Sequence, residues 1–265
     1  MKVKFGIASM SLFPLPLQTV LRKASRAGFE FVEVFLLGKW DAEKVSRAIG
    51  RAAILGLELH FHQVWTTESS EAKEKRVNQA LTVFGRLPRH GYNLDEWIPE
   101  NAIPLVAYAD RIPELAGRNG VWFQSIAEQC SLKNPEPRLS CTEFLRQIRA
   151  RNLPIVFDTM HYIEYLRGES GIERSTLIAA HILSEWEKFW KEFHSQVREF
   201  HWNDFAGERN LWPGTGTAPL RDFAQIVQKS GWNGCVVPEV RPQFPVPYGG
   251  KDLLVLRRKM DEYFG

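Results

Sequence analysis

Short runs rich in β-branched and aromatic residues alternate along this chain with segments whose apolar residues recur every three or four positions. Runs of the first kind read as strands and those of the second as amphipathic helices, and their alternation predicts a parallel α/β fold. Eight strands are expected, over residues 3–9, 31–36, 57–62, 103–108, 121–127, 154–158, 197–203 and 235–239. With a helix after each, they close into a single (β/α)8 TIM barrel, and the 265 residues match the roughly 250 such a barrel takes. A doubly wound open sheet is the alternative.

Helix signals support the count. Leu17, Val20, Leu21 and Ala24 follow Pro16 at helical spacing, and Gly28 stands where a C-terminal cap belongs. Near the end, Leu253, Leu256, Met260 and Phe264 share one stripe of a helix that would close the barrel. Residues 85–100 contain two prolines and two glycines and read as an irregular excursion before the fourth strand, a lid or contact loop. No fixed-period repeat or linker tract interrupts the pattern, so one domain over 1–265 is expected.

Composition narrows the function classes. The formal net charge is +3, with basic residues scattered among acidic ones, which lacks the electrostatic footprint of a nucleic-acid binder. Met1 leads straight into the first strand pattern with no leader-like segment, and no apolar run nears the roughly 20 residues of a membrane span. A cytoplasmic protein with a small-molecule substrate is expected, and a homo-oligomer is compatible with the 85–100 loop. Cys130, Cys141 and Cys235 lack paired spacing and read as reduced thiols.

Both faces of a barrel strand are buried, so polar side chains on these strands need a reason. In residues 57–62, Leu57, Leu59 and Phe61 share one face while Glu58, His60 and His62 share the other. Glu33 lies in strand two, and Glu199, His201 and Asn203 alternate along strand seven. Strand five runs to Glu128, strand six ends at Asp158 and strand eight at Glu239. Barrel active sites gather at the C-terminal strand ends, so these residues should converge on one pocket. Any one of them alone would more often be a hydrogen-bonded structural group. Several carboxylates in one mouth repel one another unless a cation neutralises them. An oxygen-rich set with one imidazole favours Mn²⁺, Mg²⁺ or Co²⁺ over a structural zinc site, with Zn²⁺ kept as a further candidate.

Phe157-Asp-Thr-Met-His161, Phe200-His-Trp-Asn-Asp204, Trp212-Pro-Gly-Thr-Gly216 and Gly231-Trp-Asn-Gly-Cys-Val-Val-Pro-Glu239 occur in that order. Together with Phe5-Gly-Ile-Ala-Ser-Met-Ser11 and Ala27-Gly-Phe-Glu-Phe-Val-Glu33, they resemble consecutive motifs of the xylose isomerase-like sugar phosphate isomerase/epimerase superfamily. The resemblance implies metal ligands at Glu128, Asp158, His201 and Glu239, and a substrate contact at His161. It also implies that Glu128 and Glu239 act as acid and base on opposite faces of a bound sugar.

The function expected on this basis is isomerisation or epimerisation of a small sugar, sugar phosphate or related hydroxycarbonyl compound through an enediolate. A lyase or dehydratase would use a similar ligand set. His62, Arg209 and Arg241 are candidates for substrate binding. Two other classes compete. An apurinic-type DNA endonuclease of the same superfamily would need further histidines in the loop after strand seven, and no histidine follows His201. A catalytically inactive ligand-binding barrel would take up no divalent ion.

Overall fold

The computed structural model describes residues 2–35, 42–63, 91–94, 121–123, 146, 149–150, 152, 154–163, 179–206, 209–240 and 250–265. Eight parallel strands form the closed barrel: β1 (Lys4–Ala8), β2 (Phe31–Phe35), β3 (Glu58–Gln63), β4 (Gly91–Leu94), β5 (Val121–Phe123), β6 (Ile155–Asp158), β7 (Val197–His201) and, closing onto β1, β10 (Cys235–Val237). A short antiparallel hairpin, β8 (Asp204–Ala206) and β9 (Arg209–Leu211), stands apart from the barrel. Between the strands run α1 (Leu17–Ala27), α2 (Ala42–Ile54), α3 (Ala179–Phe193) and α4 (Leu220–Lys229), and α5 (Gly250–Phe264) ends the chain.

Each helix forms where its apolar stripe can be buried. Val20, Leu21, Ala24 and Ala27 are the buried face of α1, whose end is set by Gly28 in the left-handed region. Leu220, Phe223, Ala224 and Val227 repeat that spacing on α4. Leu253, Leu256, Met260 and Phe264 are all buried on α5, as their periodicity predicts. Between barrel and helices lies an aromatic layer in which Phe200 meets Phe157 edge-on at 5.7 Å and Trp232 at 4.9 Å, while Trp202 stacks on Phe223. Each such ring stabilises the fold by roughly 1.5–3 kcal/mol through burial. Trp186, Trp190, Trp202 and Trp232 thus fill the gap between helices and barrel rather than line a pocket.

One strand differs from expectation. Gly91–Leu94 holds the fourth barrel position, paired with β3 on one side and β5 on the other. The sequence pattern assigned that stretch to an irregular excursion and put the strand at 103–108, which lies outside the described residues. Glycine and asparagine are poor strand formers, and four residues are too few to display alternation. Pairing on both edges supplies what the local sequence lacks.

The barrel interior is a separate environment. Ala8, Phe31, Phe35 and Val237 form a small apolar cluster of their own. The Phe31 ring stacks on His60 at 4.0 Å and passes so close to β1 that a Cβ on Gly6 would lie 2.2 Å from it. Only glycine fits there. At the strand starts, Lys4 Nζ donates to both Glu58 oxygens, at 2.6 and 2.8 Å.

Candidate metal centre

Strand register determines which polar side chains enter the barrel. Along β6, Ile155 and Phe157 join the outer core while Asp158 faces the opposite way. In β7 the register shifts: Ile155 pairs with Val197, but Val156 already pairs with Glu199. This one-residue bulge lets Val197 and Phe200 both pack outward while Glu199 and His201 turn inward. Along β2, Val32 and Val34 belong to the outer core, leaving Glu33 on the inner face.

Four inward groups converge at the C-terminal strand ends. Glu33, His62, His201 and Glu239 are all buried and each offers a ligand atom within 4.8 Å of the others. His201 is the hub. Its Nε2 lies 3.1 Å from Glu33 Oε1, and its Nδ1 lies 2.5 Å from Glu239 Oε2 and 3.4 Å from Asp158 Oδ2. His62 Nδ1 lies 3.2 Å from Glu33 Oε1, and the two imidazoles stack at 5.5 Å.

Asp158 plays two parts. Its Oδ1 caps the following helical turn by accepting from the Met160 and His161 amides at 2.7 and 2.9 Å. The other oxygen, Oδ2, accepts from Asn203 Nδ2 at 3.2 Å. Asn203 in turn accepts from the Glu239 amide through Oδ1, at 2.8 Å. One amide side chain therefore ties the end of β6 to the chain after β10. His161 is half-buried in that turn.

The electrostatics follow from burying these groups together. Burial works to raise Glu33, yet the charges and hydrogen bonds of His201 and His62 hold it well below the ordinary carboxylate range. Burial opposes charge on His201 too, but Glu33 and Glu239 push it well above the usual imidazole value. His62 is raised against burial chiefly by Glu33. Asp158 is lowered against burial by His161 and His201. The carboxylates thus draw positive charge onto the imidazoles that lie between them.

A divalent cation can take over that task. The four donors are a mixed nitrogen and oxygen set suited to a first-row divalent ion, and two imidazoles rather than one move the preference towards Zn²⁺, Co²⁺ or Mn²⁺ and away from Mg²⁺. Glu239 Oε2 is buried without an aligned hydrogen bond although it approaches His201 Nδ1 closely. An ion bound there would give that orphaned carboxylate oxygen the partner it lacks. The residues fit a metal.

The motif after β7 has a structural role. Asp204 is buried, and its Oδ1 accepts from the Phe205 and Ala218 amides while Oδ2 accepts from those of Gly214 and Gly216. It thereby holds the Pro213–Gly216 turn at the barrel mouth.

Of the residues singled out from sequence, His62, His201 and Glu239 meet in this group. Asp158 borders it through His201. Glu128 and Arg241 lie outside the described residues, as does the side chain of Arg209. Glu33 was visible as a carboxylate inside an apolar strand, but its pairing with His62 and His201 was not.

A closed barrel with buried carboxylates and imidazoles at its C-terminal mouth defines a class: TIM barrels whose mouth carries a group that could hold a divalent ion. By sequence the chain matches no family model and no curated relative. By structure it has the fold of the xylose isomerase-like barrels. It superposes on a xylose isomerase domain protein from Alicyclobacillus acidocaldarius with a TM-score of 0.65 at 16% identity, covering 99% of this chain and 98% of that one. D-psicose 3-epimerase from Clostridium cellulolyticum H10, solved with D-tagatose, gives 0.63 at 15% identity, covering 98% and 96%. The IolI protein, solved with a bound zinc atom, gives 0.65 at 10% identity, covering 98% of each chain. Among the described residues, no helix is long and apolar enough to cross a membrane.

Proposed function

We propose that this protein is a divalent-metal-dependent isomerase or epimerase of a small sugar, sugar phosphate or related hydroxycarbonyl compound. The carrying observation is the convergence of Glu33, His62, His201 and Glu239 at the barrel mouth. A bound divalent ion would supply Lewis acidity towards adjacent carbonyl and hydroxyl oxygens of the substrate. Glu239 is the base that removes the proton from the carbon beside the carbonyl, leaving an enediolate. Glu128 is its partner on the opposite sugar face, and His161, on the turn after β6, contacts substrate. Arg209 and Arg241 complete the binding set, and His62, expected there as well, is one of the four metal donors. His201 holds Glu239 in place from one side, and Asn203 anchors the Glu239 amide from the other.

The test is solvent hydrogen exchange. Protein loaded with Mn²⁺, Co²⁺ or Zn²⁺ is incubated in D₂O with a panel of ketoses and ketose phosphates, and deuterium beside the carbonyl is followed by NMR. Incorporation by wild type and its loss in Glu239→Gln are expected. Undiminished exchange in that variant would remove Glu239 from the chemistry, and no exchange with any metal across the panel would reject the reaction class.

A further inference from the structure

A second group of metal-binding character lies one layer deeper in the same barrel. His60, Glu199 and Cys235 each present a donor atom within 4.8 Å of the others. They come from β3, β7 and β10, the strands that carry or lead into His62, His201 and Glu239. Strand period two makes this possible: His60 and Glu199 sit two residues before His62 and His201 on the inner face. Cys235 is the direct register partner of Glu199.

The interior of a barrel is ordinarily filled by branched apolar side chains, so a carboxylate there needs compensation. Glu199 has no exposed surface. Its Oε2 lies 2.6 Å from His60 Nδ1, whereas its Oε1 is buried and accepts no hydrogen bond among the described residues. Oε1 is 3.8 Å from His201 Nε2, beyond hydrogen-bonding reach. The Lys4 ammonium, at the strand starts, is engaged by both oxygens of Glu58. An orphaned carboxylate oxygen in such a setting costs on the order of 1–3 kcal/mol or more.

We infer that His60, Glu199 and Cys235 form a second cation site, selective for a borderline-soft divalent ion such as Zn²⁺ or Co²⁺. One nitrogen, one sulfur and one carboxylate oxygen are donors those ions accept and Mg²⁺ does not. Tetrahedral zinc at its usual bond lengths separates donor atoms by roughly 3.3–3.6 Å. His60 and Glu199 therefore move apart slightly as the ion displaces the proton they share, and Cys235 gives up its thiol proton to solvent. Cys235 is only half-buried, which gives the group an edge at the strand starts, opposite the upper mouth. The site stands independently of the proposed isomerase chemistry.

The test uses the full chain, stripped with a chelator and reloaded with Zn²⁺ or Co²⁺. Elemental analysis should find two equivalents of zinc, and the Co²⁺ protein should show a near-ultraviolet thiolate-to-cobalt charge-transfer band. Cys235→Ala should abolish the band and remove one equivalent, leaving the other. Glu199→Gln, which keeps shape and thiol, should also lose the deeper equivalent and so covers the case in which Cys235→Ala does not fold. Glu239→Gln weakens the upper site and should leave the band intact, so failure of the isomerase reading and failure of this one are told apart. A single equivalent with no sulfur band, or a band that survives Cys235→Ala, would overturn the inference.

Discussion

Replacing Asp204 by asparagine tests whether one buried carboxylate organises the mouth of the barrel. Its two oxygens accept four backbone amides at 2.8 to 3.0 Å. Asparagine has the same shape but only one accepting oxygen. Whichever way its amide is turned, two N–H donors, part-buried except for that of Phe205, then face an NH₂ group. Each unsatisfied donor costs roughly 1–3 kcal/mol, and partial relaxation of the turn leaves an expected loss of about 2–5 kcal/mol. For a domain of this size that corresponds to a fall in Tm of about 5–15 °C. Thermal unfolding followed by circular dichroism, alongside urea titration, measures it. Asp222→Asn, at an exposed position in the first turn of α4, removes the same charge without the network and should cost less than about 1 kcal/mol. If Asp204→Asn unfolds within about 0.5 kcal/mol of wild type, the carboxylate is not what holds the turn.

Three further outcomes are expected. Gly6→Ala drives a methyl into the buried Phe31 ring and should cost about 1–3 kcal/mol by overpacking, read as a lower urea midpoint; an unchanged midpoint would show that the ring can move away. Asn203→Ala removes the tie between Asp158 and the Glu239 amide and should weaken Mn²⁺ or Zn²⁺ binding about 10–100-fold by calorimetry, whereas an unaltered Kd would deny it a positioning role. In chelator-treated protein, the depressed Glu33 contributes stability that is present above about pH 4.3, its unfolded value, and is lost as pH falls below that. Raised His201 contributes stability that is complete below about pH 6.5 and is lost as pH rises through its folded value. Tm of the chelator-treated protein should therefore peak between those two values, and a Tm that climbs steadily from pH 6.5 to alkaline pH would contradict the His201 assignment.

Local pattern alone determined much of this protein. Alternating strand and helix periodicity, the cap at Gly28 and the stripe on α5 predicted the barrel because each is a property of residues near one another in sequence. His60 and His62 were legible as inward-facing because period two is a local rule. The fourth strand was not legible, since Gly91–Leu94 is a strand through its neighbours' hydrogen bonds rather than its own composition. Nor could sequence say that Glu33 would meet His201 across 168 positions, or that a bulge would turn Val197 outward, off the face that Glu199 and His201 share. Those facts depend on how a closed barrel sets its strands in register. Distances of a few ångströms between remote strand ends, and the electrostatics that follow from them, exist only once the sheet has closed.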